Sequence, residues 1–89
     1  MISRRAVVSG AVQGVGFRFF AQRAAREARV TGWVRNRPDG TVETVVEGEA
    51  GAVARYVERL RSGPAGGRVT ALVLEERLVE GYSSFEITG

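Results

Sequence analysis

The stretch Gly10-Ala11-Val12-Gln13-Gly14-Val15-Gly16-Phe17-Arg18 has the composition of an anion cradle. It follows an apolar, strand-like run (Ala6-Val7-Val8) and ends where a helical pattern begins. Glycines let the backbone bend until several N–H groups converge, and a helix N-terminus adds partial positive charge. Arg18 adds a full charge and a planar fork of donors that matches a phosphate. A glycine-rich turn beside a solvated arginine has the same composition, so the loop alone does not decide between the two. The second candidate is Asn36, the only asparagine in the chain. It follows Trp33-Val34-Arg35, a strand-like run that would hold a carboxamide rigidly. Its place just before Pro38-Asp39-Gly40 also suits an ordinary turn asparagine.

Composition narrows the chemistry. The 89 residues contain no cysteine and no histidine. Disulfides, a thiol nucleophile, a Ser-His-Asp triad and a Cys/His zinc site are therefore excluded. Every basic residue is arginine, so a Walker loop, which needs its lysine, is excluded as well. Any catalysis must come from positioning and charge, with a base drawn from a carboxylate or from the substrate. The formal net charge of +3 favours an anionic partner but does not choose between a phosphate ester and a nucleic acid. The start of the chain imitates a secretory leader until Ser9, Gly10 and Gln13 break its apolar run. No segment is long enough to cross a membrane, and a cytoplasmic protein is expected.

The elements that must position these residues are legible in the pattern. Residues 4–9 read as a strand ending at Gly10. Phe17, Phe20, Ala21, Ala24, Ala25 and Ala28 recur at the spacing of one buried helix face, predicting a helix over 17–29. Strands are predicted over 31–36 and 41–47, joined as a hairpin through Pro38-Asp39-Gly40. A second helix over 50–61 carries Val53, Tyr56, Val57 and Leu60 on one face and stops at Gly63-Pro64. Strands over 69–78 and 85–88 complete the chain. The order βαββαβ, with a short final strand, predicts a single α+β domain over 1–89. It is a ferredoxin-like sandwich: an antiparallel sheet with two helices on one face. In that topology the 10–18 loop and Asn36 lie side by side.

Beyond composition, the segments Val12-Gln13-Gly14-Val15-Gly16-Phe17-Arg18, Gly32-Trp33-Val34-Arg35-Asn36 and Pro38-Asp39-Gly40 resemble the acylphosphatase family. The resemblance continues through Val45-Val46-Glu47-Gly48, Gly63-Pro64 and Phe85-Glu86-Ile87, and so covers nearly the whole chain. It implies metal-independent hydrolysis of the carboxyl-phosphate bond of small acyl phosphates, giving a carboxylate and inorganic phosphate, with no cofactor. It also implies that Arg18 and the main-chain N–H groups of Gln13, Gly14, Val15, Gly16, Phe17 and Arg18 bind the phosphoryl group, and that Asn36 orients the attacking water. The expected partner is a small acyl phosphate, with no nucleic acid and no membrane, acting on a monomer. The chain departs from the family's pattern at Ala11, at Arg29-Val30-Thr31 and at Phe19. These positions bear on substrate approach and rate rather than on the reaction.

Other residues read more plainly. Trp33 is expected in the core, Phe17 as an anchor of the first helix, and Asp39 as a turn former with no catalytic role. Arg35 and Arg37 are expected to be solvated. Glu43, Glu47, Glu75 and Glu76 are expected on solvated faces, loosely paired with arginines. Two other functions use similar folds: a non-catalytic binding module of the kind found inside larger maturation proteins that handle carbamoyl phosphate, and single-stranded RNA binding. The latter needs exposed aromatics on the central strands, and residues 4–9 and 41–47 have none.

Overall fold

Strand and helix periodicities alternate along the chain as the sequence predicts. The computed structural model describes residues 1–89. Its elements are β1 (Ile2–Ala11), α1 (Phe17–Ala28), β2 (Thr31–Asn36), β3 (Val42–Gly48), α2 (Ala50–Ser62), β4 (Arg68–Arg77) and β5 (Phe85–Ile87). One five-stranded sheet has the order β4-β1-β3-β2-β5. The pairings β1–β3, β1–β4 and β2–β3 are antiparallel, as expected. The fourth pairing, β2–β5, is parallel, which makes the sheet mixed rather than antiparallel throughout. Its cause is the path of the chain. β4 runs opposite to β2, so it finishes at the end of the sheet where β2 begins. The connection crosses to the far edge, and β5 must then run beside β2 in the same direction.

Period-2 and period-3.6 patterns meet in one core. Val8, Val34, Val42 and Val46 project from the strands, and Phe17, Ala21, Ala24, Ala25, Val53, Tyr56, Val57 and Leu60 from the helices. Thr44 shares that face. Its hydroxyl donates to the Trp33 carbonyl oxygen at 2.7 Å and accepts from the Tyr56 hydroxyl at 2.8 Å, so neither buried oxygen is left unpaired. Burial pushes the Tyr56 phenol pKa up and keeps it neutral. Helix α1 ends one residue earlier than predicted. Arg29 adopts the left-handed conformation (φ 61°), and its N–H closes the last turn onto the carbonyls of Ala25 and Arg26. This is the usual way to end a helix, here without the usual glycine.

Three expectations need correcting on the sheet face opposite the helices. Trp33 lies there and not in the core, because Val34 beside it points to the helices and side chains alternate along a strand. Its indole N–H donates to the Tyr82 hydroxyl at 3.1 Å. Glu43 is buried, gripped by Arg5 at 2.6 Å and Arg35 at 2.7 Å. Burial raises its pKa, but the two guanidiniums outweigh that and hold it below the usual carboxylate range. Glu47 is buried as well, and accepts the main-chain N–H groups of Glu80 at 2.7 Å, Gly81 at 2.9 Å and Tyr82 at 3.4 Å. Residues 78–84 thus fold across the sheet, and Glu47 pins them there.

Burial alone raises the Glu47 pKa, yet those N–H groups leave it lowered overall. A folded-state pKa below the unfolded value means that the stabilisation is complete above the unfolded value, near 4.5, and fades as pH falls through the folded-state value. Glu47→Gln is therefore expected to lower stability at neutral pH by about 2 kcal/mol, the scale of charge-assisted hydrogen bonds. It is also expected to narrow the gap to the wild type as pH drops below 4.5. Urea titrations at several pH values check both parts. A gap that does not narrow in acid removes the role given to the ionised carboxylate.

Candidate active site

The loop that leaves β1 is shaped by two glycines rather than three. Gly14 (φ 76°) and Gly16 (φ 77°) are both left-handed, and a Cβ on either would meet no neighbour. The backbone conformation itself demands glycine there. Gly10 serves another purpose. It sits at a register shift between β1 and β4, where a Cβ would lie 2.1 Å from the Arg68 carbonyl oxygen. It permits the bulge and takes no part in the cradle.

Left-handed residues interleaved with right-handed ones turn successive N–H groups inward to form a nest for anions. Gly16 is also the residue that opens α1. Its carbonyl accepts from the Phe20 N–H at 3.0 Å. None of the main-chain N–H groups from Gln13 to Phe19 donates to a main-chain carbonyl. The six amides expected to form the cradle are therefore free to bind a ligand, at the positive end of a helix dipole.

Arg18 and Asn36, predicted from separate segments, line one cavity of about 120 Å³ together with Val12, Gly14, Gly16, Phe17 and Phe19. Arg18, in the first turn of α1, forms none of the chain's ion pairs. Its one hydrogen bond runs to the Gly89 main-chain oxygen at 3.2 Å. Asn36 is the last residue of β2, paired across the hairpin with Val42. Its side-chain oxygen is buried and has no hydrogen-bond partner. An orphaned buried acceptor is costly, about 1–3 kcal/mol, and rare in native folds.

Gln13 carries a function that sequence reading missed. It was expected to contribute only its main-chain N–H, but its side-chain amide donates to the carbonyls of Arg37 at 2.7 Å and Thr41 at 2.9 Å. It straps the loop to the hairpin that carries Asn36. The hairpin is itself tight. Asp39 accepts from the Thr41 N–H at 3.0 Å and hydroxyl at 2.6 Å, and these bonds hold its carboxyl below the usual range. Asp39 is a turn former, as expected. Phe17 is buried, as expected of an anchor. Arg35 turns to Glu43 on the opposite sheet face, and Arg37 pairs with Asp39 at 3.6 Å. Neither lines the cavity.

A larger groove of about 570 Å³ runs between the helices past Ala24, Ala28 and Ala54. Its Arg59 and Glu27 neutralise each other at 2.7 Å, and it has no orphaned polar atom. The smaller cavity alone joins an arginine outside every ion pair to a buried acceptor without a partner in the chain, which makes it the candidate chemical site.

Known proteins match this chain over its length. The acylphosphatase family model matches residues 4–87. A Bacillus subtilis protein named acylphosphatase is 43% identical over 88 residues, spanning 98% of this chain and 97% of the relative. The crystal structure of acylphosphatase from Bacillus subtilis superposes with a TM-score of 0.97 at 41% identity, covering all of both chains. The crystal structure of full-length HypF in the phosphate- and nucleotide-bound form also matches, with a TM-score of 0.92 and 29% identity over 99% of this chain and 12% of that one.

Proposed function

The chain belongs to the acylphosphatase family, hydrolases of acyl phosphates, and on that premise we propose how its cavity performs the reaction. The main-chain N–H groups of Gln13 to Arg18 and the Arg18 guanidinium hold the phosphoryl oxygens. The Asn36 side-chain oxygen accepts a hydrogen bond from a water and turns a lone pair of that water toward phosphorus. The observation that carries this reading is the shared cavity of an arginine that pairs with no acidic side chain and a buried carboxamide oxygen without a donor from the chain.

Phosphoryl transfer asks little covalent chemistry of a protein and depends on alignment and charge stabilisation. Water attacks phosphorus as the bond from phosphorus to the acyl oxygen breaks. The electron pair leaves with the carboxylate, a weak base that needs no general acid. A carboxamide does not ionise, and no carboxylate or imidazole lines the cavity. The proton of the attacking water therefore passes to a phosphoryl oxygen and leaves with inorganic phosphate. Nothing in this sequence of steps requires a metal ion or a cofactor. The reading extends to a monomer in the cytoplasm acting on a small acyl phosphate. No helix is long and apolar enough to cross a membrane. Nucleic acid is not the partner on this reading, because β1 and β3 offer no aromatic residue for bases to stack on.

Hydrolysis in ¹⁸O-labelled water tests the direction of attack. The label is expected in the inorganic phosphate and not in the released carboxylate. Label in the carboxylate would mean attack at the carbonyl carbon, and the role given to Asn36 would be lost.

A further inference from the structure

Six large apolar side chains are exposed: Met1, Phe19, Val73, Leu74, Leu78 and Val79. Five belong to the chain start, to β4 and to the segment just after it. Phe19 stands apart. It is the only exposed aromatic among them, 67% accessible, and the only one that lines the cavity of Arg18 and Asn36. The core does not need it. The buried face of α1 runs through Phe17, Ala21, Ala24 and Ala25, and Phe19 lies off that stripe. Its ring pairs with no other ring, whereas neighbouring Phe20 packs against Phe17 at 5.8 Å and lies under Arg59.

We propose that Phe19 is the platform for the acyl group, and that the enzyme selects acyl phosphates whose acyl group is apolar, aromatic ones above all. This rests on the phosphoryl-site reading above. A cavity of about 120 Å³ is well below the size of pockets that enclose whole ligands, roughly 300 Å³ and more. It holds the phosphoryl group and leaves the acyl group outside. In-line displacement puts the departing carboxylate on the side of phosphorus away from the water, hence at the mouth. The aromatic ring waiting there offers a flat apolar face, which favours offset stacking on a planar aromatic acyl group and gives a two-carbon acyl group little to touch. Because Phe19 follows Arg18 in the first turn of the helix, its position is fixed relative to the phosphoryl contacts.

The test compares kcat/KM for benzoyl phosphate and acetyl phosphate in the full chain, in Phe19→Ala and in Phe19→Tyr. Phe19→Ala is expected to lower the benzoyl-to-acetyl ratio about tenfold, the scale of a modest apolar subsite, mostly through the KM for benzoyl phosphate. Phe19→Tyr keeps the ring and is expected to hold the ratio within about twofold. A ratio unchanged by Phe19→Ala, or equal losses on both substrates, overturns the platform. Arg18→Ala separates this from the reading beneath it. Turnover that depends on Arg18 while the ratio ignores Phe19 removes the platform alone. Turnover that ignores Arg18 removes the phosphoryl site, and the platform with it.

Discussion

Replacing Arg18 by alanine is expected to lower kcat/KM for acyl phosphate hydrolysis by about 10²–10⁴-fold. Two charge-assisted contacts to phosphoryl oxygens are at stake, each ~1.5–3 kcal/mol, and ~1.4 kcal/mol corresponds to a tenfold change in rate. The loss is expected in both kinetic constants. A guanidinium that grips the ground-state phosphoryl group lowers KM, and one that gains hold as charge spreads over the equatorial oxygens raises kcat. Competitive inhibition by inorganic phosphate is expected to weaken in parallel. Arg18→Lys restores the charge but not the planar fork, so it is expected to recover only part of the activity. Unfolding does not confound the measurement. The one hydrogen bond of the Arg18 side chain within the chain is solvent-exposed, and the residue joins no ion pair. Such contacts contribute little to stability, of order 0.5 kcal/mol. Near-normal turnover in Arg18→Ala would remove the phosphate contact from the account.

The sequence displays the pieces of this site better than it displays their surroundings. Alternation along Trp33-Val34-Arg35-Asn36 marks a strand, and the Gly14/Gly16 spacing ahead of a helical stripe marks the loop. The βαββαβ order then places both at one end of the sheet. What is hidden from a linear reading depends on contacts between distant segments. Gly10 looks like a third cradle glycine, but its requirement comes from the Arg68 carbonyl more than fifty residues on. Glu43 and Glu47 alternate with valines like the wet side of a two-layer sheet. Glu47 is buried where residues 78–84 cross that side, and Glu43 where Arg5 and Arg35 close on it, and nothing in their own strand announces either contact. The same crossing leads into the parallel β5 pairing and brings Tyr82 to Trp33 on the far face. The Gln13 strap joins residues 24 and 28 positions apart and is visible only once the hairpin is folded back on the loop.

Asn36→Ala is expected to separate activity from stability. The kcat is expected to fall by about 10²–10³-fold, the effect of losing one preorganised polar group at the reacting centre. The KM is expected to change little, since the proposed phosphoryl contacts are those of the loop and Arg18. Removing a typical strand-end side chain also destabilises a protein, but this one carries a buried oxygen with no donor. Deleting it breaks no hydrogen bond within the chain, so only the packing of a small polar side chain is lost. The melting temperature is therefore expected to change little while turnover collapses, the pattern of a side chain that serves chemistry more than the fold. Asn36→Asp sharpens the contrast. It preserves the shape but brings a negative charge toward the phosphoryl group, so KM is expected to rise as well as kcat to fall. Calorimetry beside steady-state kinetics on both variants decides the matter. If Asn36→Ala loses stability and keeps its kcat, the carboxamide belongs to the fold and another group must hold the water.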